Sequence, residues 1–192
     1  MSVNDKSFTR AFVKKLCDHI LEKVSGFKAV HDEFPSANQK LELPCASVSL
    51  QPVTFVAGLP YELSKGSVPD VGEGAPPARV VYSIGQFEVR GQIDVWCGFK
   101  IQRHTFHNAV LHAMNPGIGG ALNLVLTDYY NQIVGVDLLN SNYEDSEIGA
   151  QRGEWRVRME FQANCRAVKV EDSYLMETIE NNLEIVQDQI ID

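Results

Sequence analysis

No apolar run in this sequence approaches the ~20 residues that a membrane-spanning helix needs, so a bilayer is not an expected partner. The opening MSVNDKSFTR is polar and lacks the apolar core of a signal peptide, so synthesis in the cytosol is expected. The four cysteines (Cys17, Cys45, Cys97 and Cys165) include no C-x-x-C pair, and buried free thiols are expected in preference to a disulfide or a zinc site. From Glu171 onward there is no Lys or Arg, whereas there are seven acids (Glu171, Asp172, Glu177, Glu180, Glu184, Asp188 and Asp192). That segment carries nearly all of the net charge of −8 and leaves 17 basic against 18 acidic residues in the first 170. So balanced a body does not hold nucleic acid by neutralising phosphates. An acidic surface past which nucleic acid slides fits the same charge. Internal repeats and low-complexity tracts are also missing.

What is present is alternation. In Glu154–Val168 the apolar residues Trp155, Val157, Met159, Phe161, Ala163, Cys165 and Ala167 take every second place, with polar residues between them. Side chains on a strand alternate faces, so this is a long strand with one dry and one wet face. Phe87, Val89, Ile93, Val95 and Cys97 repeat the pattern, and Gly91 falls on the apolar side. Parallel sheets bury both faces and lose such alternation. The expected fold is therefore α+β, an antiparallel or mixed sheet with helices packed on one face. One domain over residues 1–170 is expected, with an extended loop at 57–84 and an acidic helical arm at 171–192.

Two helices supply the cover. Phe8, Phe12, Leu16, Ile20 and Val24 recur every four residues within Ser7–Ser25, with Ser7 as candidate N-cap and Gly26 as terminator. A second helix runs to Met114 and stops at Asn115-Pro116-Gly117, with Phe106, Val110 and Met114 as its stripe. Pro44–Val56 reads as a strand that Pro52 makes an edge or forces to bulge. Leu122–Tyr130 fits a short helix or an extended piece equally, and Ile133–Asn142 reads as a strand. Ala57–Ile84 is rich in Gly and Pro yet carries Leu59, Tyr61, Leu63 and Val68. A long loop with apolar residues is either an arm that orders against a partner or a loose insertion. The arm is the favoured reading. In Ser173–Ile191, Met176, Ile179, Leu183, Val186 and Ile190 are spaced three, four, three, four, a heptad seam. An isolated helix of this length is marginal in water, so it needs a docking surface on its own domain or on a neighbouring subunit.

Motifs for chemistry are weak. His104 and His107 can share a helix face, but His112 lies about 140° further round and no acid is interleaved, unlike a zincin helix. Gly117-Ile118-Gly119-Gly120 follows a helix rather than a strand and reads as a turn, not a phosphate cradle. No G-x-S-x-G elbow exists. No catalytic residue, cofactor or metal is expected. Arg90, Asp94, Arg156, Arg158 and Arg166 lie on the wet strand faces. They form either a solvated face with cross-strand pairs or a subunit interface whose mixed charges fix register. A ligand-binding or hydrolytic domain using Tyr129, Tyr130 and the helical histidines is the rival of another class, and a non-viral module paired through its terminal heptads is a third reading.

This order of elements resembles that of the tail terminator (tail-completion) proteins of tailed bacteriophages. The likeness runs through the first helix, the strand near Pro44–Val56, the apolar-bearing loop and the strand IGQFEVRGQIDVW (Ile84–Trp96). It continues through the helix Arg103–Met114 and the late pair IVGVDLLNSNYEDSE and GEWRVRMEFQANC. The stretch Gly153-Glu154-Trp155-Arg156-Val157-Arg158 carries it most clearly, and residues 7–168 are covered. The likeness lies in element order and texture, and the acidic heptad C-terminus has no counterpart in it. The resemblance implies a structural virion protein, assembled in the host cytoplasm as a homo-hexameric ring. That ring would cap the tail tube and join the tail to the head, leaving a lumen through which DNA passes without specific binding. Its neighbours would be the tail tube, with or without the sheath, and a head–tail connector protein. A head–tail adaptor or another neck ring is the nearest alternative. Leu59, Tyr61, Leu63, Val68, Ile179, Leu183, Val186 and Ile190 are then the expected partner contacts.

Overall fold

In a computed structural model, residues 5–36, 40–65, 78–115, 122–144 and 155–173 are described. The chain runs α1 (Asp5–Lys23), β1 (Val30–His31), β2 (Cys45–Leu50), β3 (Thr54–Lys65) and β4 (Ala78–Cys97). It continues with α2 (Lys100–Met114), β5 (Leu122–Leu126), β6 (Gln132–Glu144) and β7 (Trp155–Ser173). The strands form one mixed, strongly curled sheet in the order β1-β2-β4-β7-β6-β5, with β3 paired to β4. β1 runs parallel to β2, while β2–β4, β5–β6 and β6–β7 are antiparallel. The α+β expectation holds.

The alternating runs behave as their sequence dictates. Phe87, Val89, Ile93, Val95 and Cys97 of β4 and Val157, Met159, Phe161, Ala163 and Cys165 of β7 are all buried on one face. The α1 stripe Phe8, Phe12, Leu16, Ile20 and Val24 closes over that face. Phe8 stacks on Phe87 with ring centroids 5.0 Å apart, and Phe12 meets Phe161 edge-on at 6.2 Å. Each large side chain so buried stabilises the fold by about 1.5–3 kcal/mol before entropy is counted. α2 meets the connector after α1 through Phe27 stacked on Phe106 at 4.9 Å, and α1 itself through His19 Nε2, within 2.9 Å of the Ala113 carbonyl.

Gly91 leaves room for side-chain and backbone atoms of the two strands beside β4. A Cβ there would lie 2.6 Å from Phe161 Cζ and 2.6 Å from the Ser49 carbonyl oxygen. The backbone oxygen cannot step aside, so the position demands glycine.

Several expected boundaries move. Ser7 lies inside α1, which already includes Asp5, so it is not the N-cap. Gly26, at φ +101°, does turn the chain after the helix, a conformation that glycine adopts without steric cost. The single strand expected over Pro44–Val56 is broken at residues 51–53, where Pro52 has no amide hydrogen to give to a ladder. Leu122–Leu126 resolves as a strand, and Tyr130 and Asn131, both at positive φ, turn it into β6. The loop expected at 57–84 is strand at both ends: β3 continues to Lys65 and β4 begins at Ala78. Ladder hydrogen bonds to β4 overrode the glycine and proline signals there. β7 outruns its expected end at Val168 and reaches Ser173, so the first residue assigned to the C-terminal helix is strand.

Where one domain was expected over residues 1–170, contacts within the chain separate two units. One comprises residues 1–56 with 86–166 and holds both helices and the core just described. The other comprises residues 57–85 with 167–192 and contains the paired segments of β3 and β4 within it.

Candidate interaction surface

The charged strand face is wet over most of its length but covered at Asp94. Asp94 is fully buried. Arg156 Nε donates to Asp94 Oδ1 at 2.8 Å, Arg156 Nη2 lies 2.7 Å from the same oxygen, and Gln92 Nε2 donates to Oδ2 at 2.8 Å. Arg158 Nε stands 3.9 Å away. The Arg156 guanidinium lies 4.8 Å from the Phe34 ring and 5.1 Å from the Trp96 ring, and the two rings meet edge-on at 5.5 Å, so all three cluster beside the ion pair in a cation–π arrangement. Burial pushes the Asp94 carboxyl above the usual carboxylate range, and Arg156 with the Gln92 hydrogen bond pulls only partly against it. Asp94 and Arg156 thus fasten β4 to β7 inside the molecule, and Asp94 offers nothing to a neighbour. Arg90 and Arg166 remain exposed, and Arg158 is partly so. Phe34, in the connector after α1, belongs to this cluster, and no periodicity in the sequence marks it.

On α2 the structure brings His104 and His107 to one point. Tyr143 Oη lies 3.1 Å from His104 Nδ1 and 2.9 Å from His107 Nδ1. The phenol has a single proton, so when both imidazoles are neutral one accepts it and the other donates its own N–H to the oxygen. His107 is buried and its Nε2 finds no partner among the described residues. Burial, with a smaller contribution from His104, lowers its affinity for a proton below the ordinary histidine value. Arg103, also buried, sits 5.1 Å from the Trp155 ring and 5.4 Å from the Tyr143 ring, and Lys100 Nζ sits 5.4 Å from Trp155. His112 is exposed and outside this cluster. Among the described residues no three His, Cys, Asp or Glu side chains converge as a metal site would require.

The residues of the rival enzymatic reading do not meet. Tyr129 is buried against Phe8, and Tyr130 is half exposed at the turn before β6. Tyr143 and its histidines lie at the other end of β6, roughly 40 Å along the strand. A depression of about 160 Å³ beside Lys14, Asp18 and Asp128 is smaller than the ~300 Å³ from which ligand pockets begin. The thiols are inert: burial raises Cys17 and Cys165 to about 12 and Cys97 to about 11. All four cysteines are free and buried, as expected. Among the described residues no helix is long and apolar enough to cross a membrane.

The remaining surface feature is β3. Every residue from Thr54 to Glu62 is exposed. Leu59 is 90% exposed and Tyr61 51%, and Phe55 and Val56 are exposed beside them. Leu63 lies on the same strand, while Val68, Ile179, Leu183, Val186 and Ile190 fall outside the described residues. No protein-family model matches the chain, and no curated protein matches its sequence.

Proposed function

We propose that this protein is a structural, non-enzymatic component of a tailed-phage virion, a tail terminator whose copies form a ring at the end of the tail tube. The carrying observation is β3, a strand that leaves Leu59 and Tyr61 in water. Apolar side chains on so exposed a strand gain from being covered by another protein. The body supports the same role. Its sheet is stiffened by helices on one face and by the Asp94–Arg156 pair on the other, which suits a building block that must hold its shape in an assembly. Its near-neutral charge and acidic tail suit a channel that does not retain DNA.

The test is direct. Purified protein, sized by light scattering and imaged in negative stain, is expected to form closed rings, and Leu59→Ser with Tyr61→Ser is expected to abolish the joining of tails in an assembly assay. A protomer that stays single at high concentration and turns over a small compound would overturn the proposal.

A further inference from the structure

Two side chains of α2 and one of β6 bring three donor atoms together. His104 and His107 are three residues apart on one helix face, where such neighbours stand roughly 5–6 Å apart at Cβ. Tyr143, near the end of β6, is held in place by the ladder that pairs it with Val157 of β7. All three residues lie in the unit that holds both helices. Tyr143 Oη stands 3.1 Å from His104 Nδ1 and 2.9 Å from His107 Nδ1. Donors of one tetrahedral ion, each ~2.0–2.1 Å from it, stand roughly 3.3 Å apart. Both spacings are close to that value, so an ion can take the place of the phenolic proton with small shifts of the rings.

We propose that His104 Nδ1, His107 Nδ1 and the Tyr143 phenolate form a binding site for a divalent late transition metal ion, Cu(II) foremost. The donor set selects the metal. Two imidazole nitrogens and a phenolate oxygen suit Cu(II), Ni(II) or Zn(II) rather than Ca(II) or Mg(II), and Cu(II) heads the affinity order. The His107 ring is suited to ligation. Burial, with a smaller contribution from His104, favours its neutral form, and no partner of Nε2 among the described residues sets the tautomer against a proton-free Nδ1. His104 is exposed and Tyr143 is 42% exposed, which gives the ion a way in. The proton count closes. The phenol loses its proton to water as the ion binds, the imidazole that donated to it carries its own proton on Nε2 instead, and no electron is transferred. The Arg103 guanidinium, 5.4 Å from the Tyr143 ring, favours phenolate over phenol. An ion bound to that phenolate adds one net positive charge beside Arg103 rather than two. Water completes the coordination, and the ion ties α2 to β6.

The full chain, stripped with a chelator and then titrated with Cu(II), tests this. The expected result is a single ion per chain, a visible phenolate-to-Cu(II) charge-transfer band, one proton released per ion and a raised melting midpoint. Tyr143→Phe should abolish the band and the rise in midpoint. His104→Ala should do the same, and because that side chain is exposed it keeps the test open if Tyr143→Phe melts early. His112→Ala, exposed on the same helix but outside the cluster, should retain both. No band at a full equivalent of Cu(II), a band that survives Tyr143→Phe, or binding lost with His112→Ala would each overturn the proposal. A trio joined by hydrogen bonds alone gives the first of these results. Neither band nor midpoint depends on ring formation, so this site and the tail-terminator reading stand or fall separately.

Discussion

Between Phe87 and Cys97 every second residue of β4 is sealed from water, and Asp94 on the opposite face is sealed as well. Between Thr54 and Glu62 of β3 every residue is exposed. Both are strands with aromatic and β-branched residues, so strand propensity does not separate them. The difference lies in what covers them. The first segment has α1 on one side and the Phe34–Arg156–Trp96 cluster on the other. The second has no such cover among the described residues. Apolar residues in the first specify the fold, and those in the second are available to specify a partner.

The sharpest way to break that comparison is to attack the covered segment. Asp94→Ala leaves Arg156 against the Phe34 and Trp96 rings without its carboxylate, and loss of one partner of a buried pair costs about 3–5 kcal/mol. Urea unfolding of the variant should show that loss. A stability within experimental error of the parent would mean that Asp94 does not fasten β4 to β7. Gly91→Ala comes next, at about 1–3 kcal/mol, because its methyl group meets the Ser49 carbonyl and the Phe161 ring. Its effect should appear as a lowered melting midpoint.

A smaller effect is tied to pH. Folded His107 resists a proton that the unfolded chain accepts, so this group takes stability away as pH falls through 6.5. His107→Gln should flatten that acid-side decline when melting is followed from pH 7.5 to 5. A parallel decline in both proteins would assign it elsewhere. The smallest change in stability belongs to β3: Leu59→Ser and Tyr61→Ser should stay within about 0.5 kcal/mol of the parent, since Leu59 is 90% and Tyr61 51% exposed. A large destabilisation would place them in a core and erase the contrast between the two segments.

How far residues alone disclose this arrangement varies by position. The dry face of β4 and β7 and the stripe of α1 were legible because a period of two or of four reports directly on which side chains share a face. The place of Gly91 on that face was legible too, but not the ring that fills it. β3 was obscured by Gly58 and Pro60, which normally punctuate loops, and its ladder to β4 is a pairing between distant residues that local pattern does not encode. The cover over part of the charged face was hidden for a similar reason. Arg156 and Asp94 alternate as solvent-facing residues do, and only the return of Phe34 over Trp96 shows that they are enclosed. His104 and His107 could be placed on one helix face from spacing, but their common partner Tyr143 could not.

The order of letters settled the alternation of the two long strands, the apolar stripe of the first helix and the concentration of acid at the C-terminus, because each depends on neighbours within a few residues. Which charges lie under cover, which apolar residues stay in water and which histidines meet were decided by tertiary structure. Those outcomes depend on the approach of segments far apart in the chain, where burial and desolvation, rather than periodicity, set the energy.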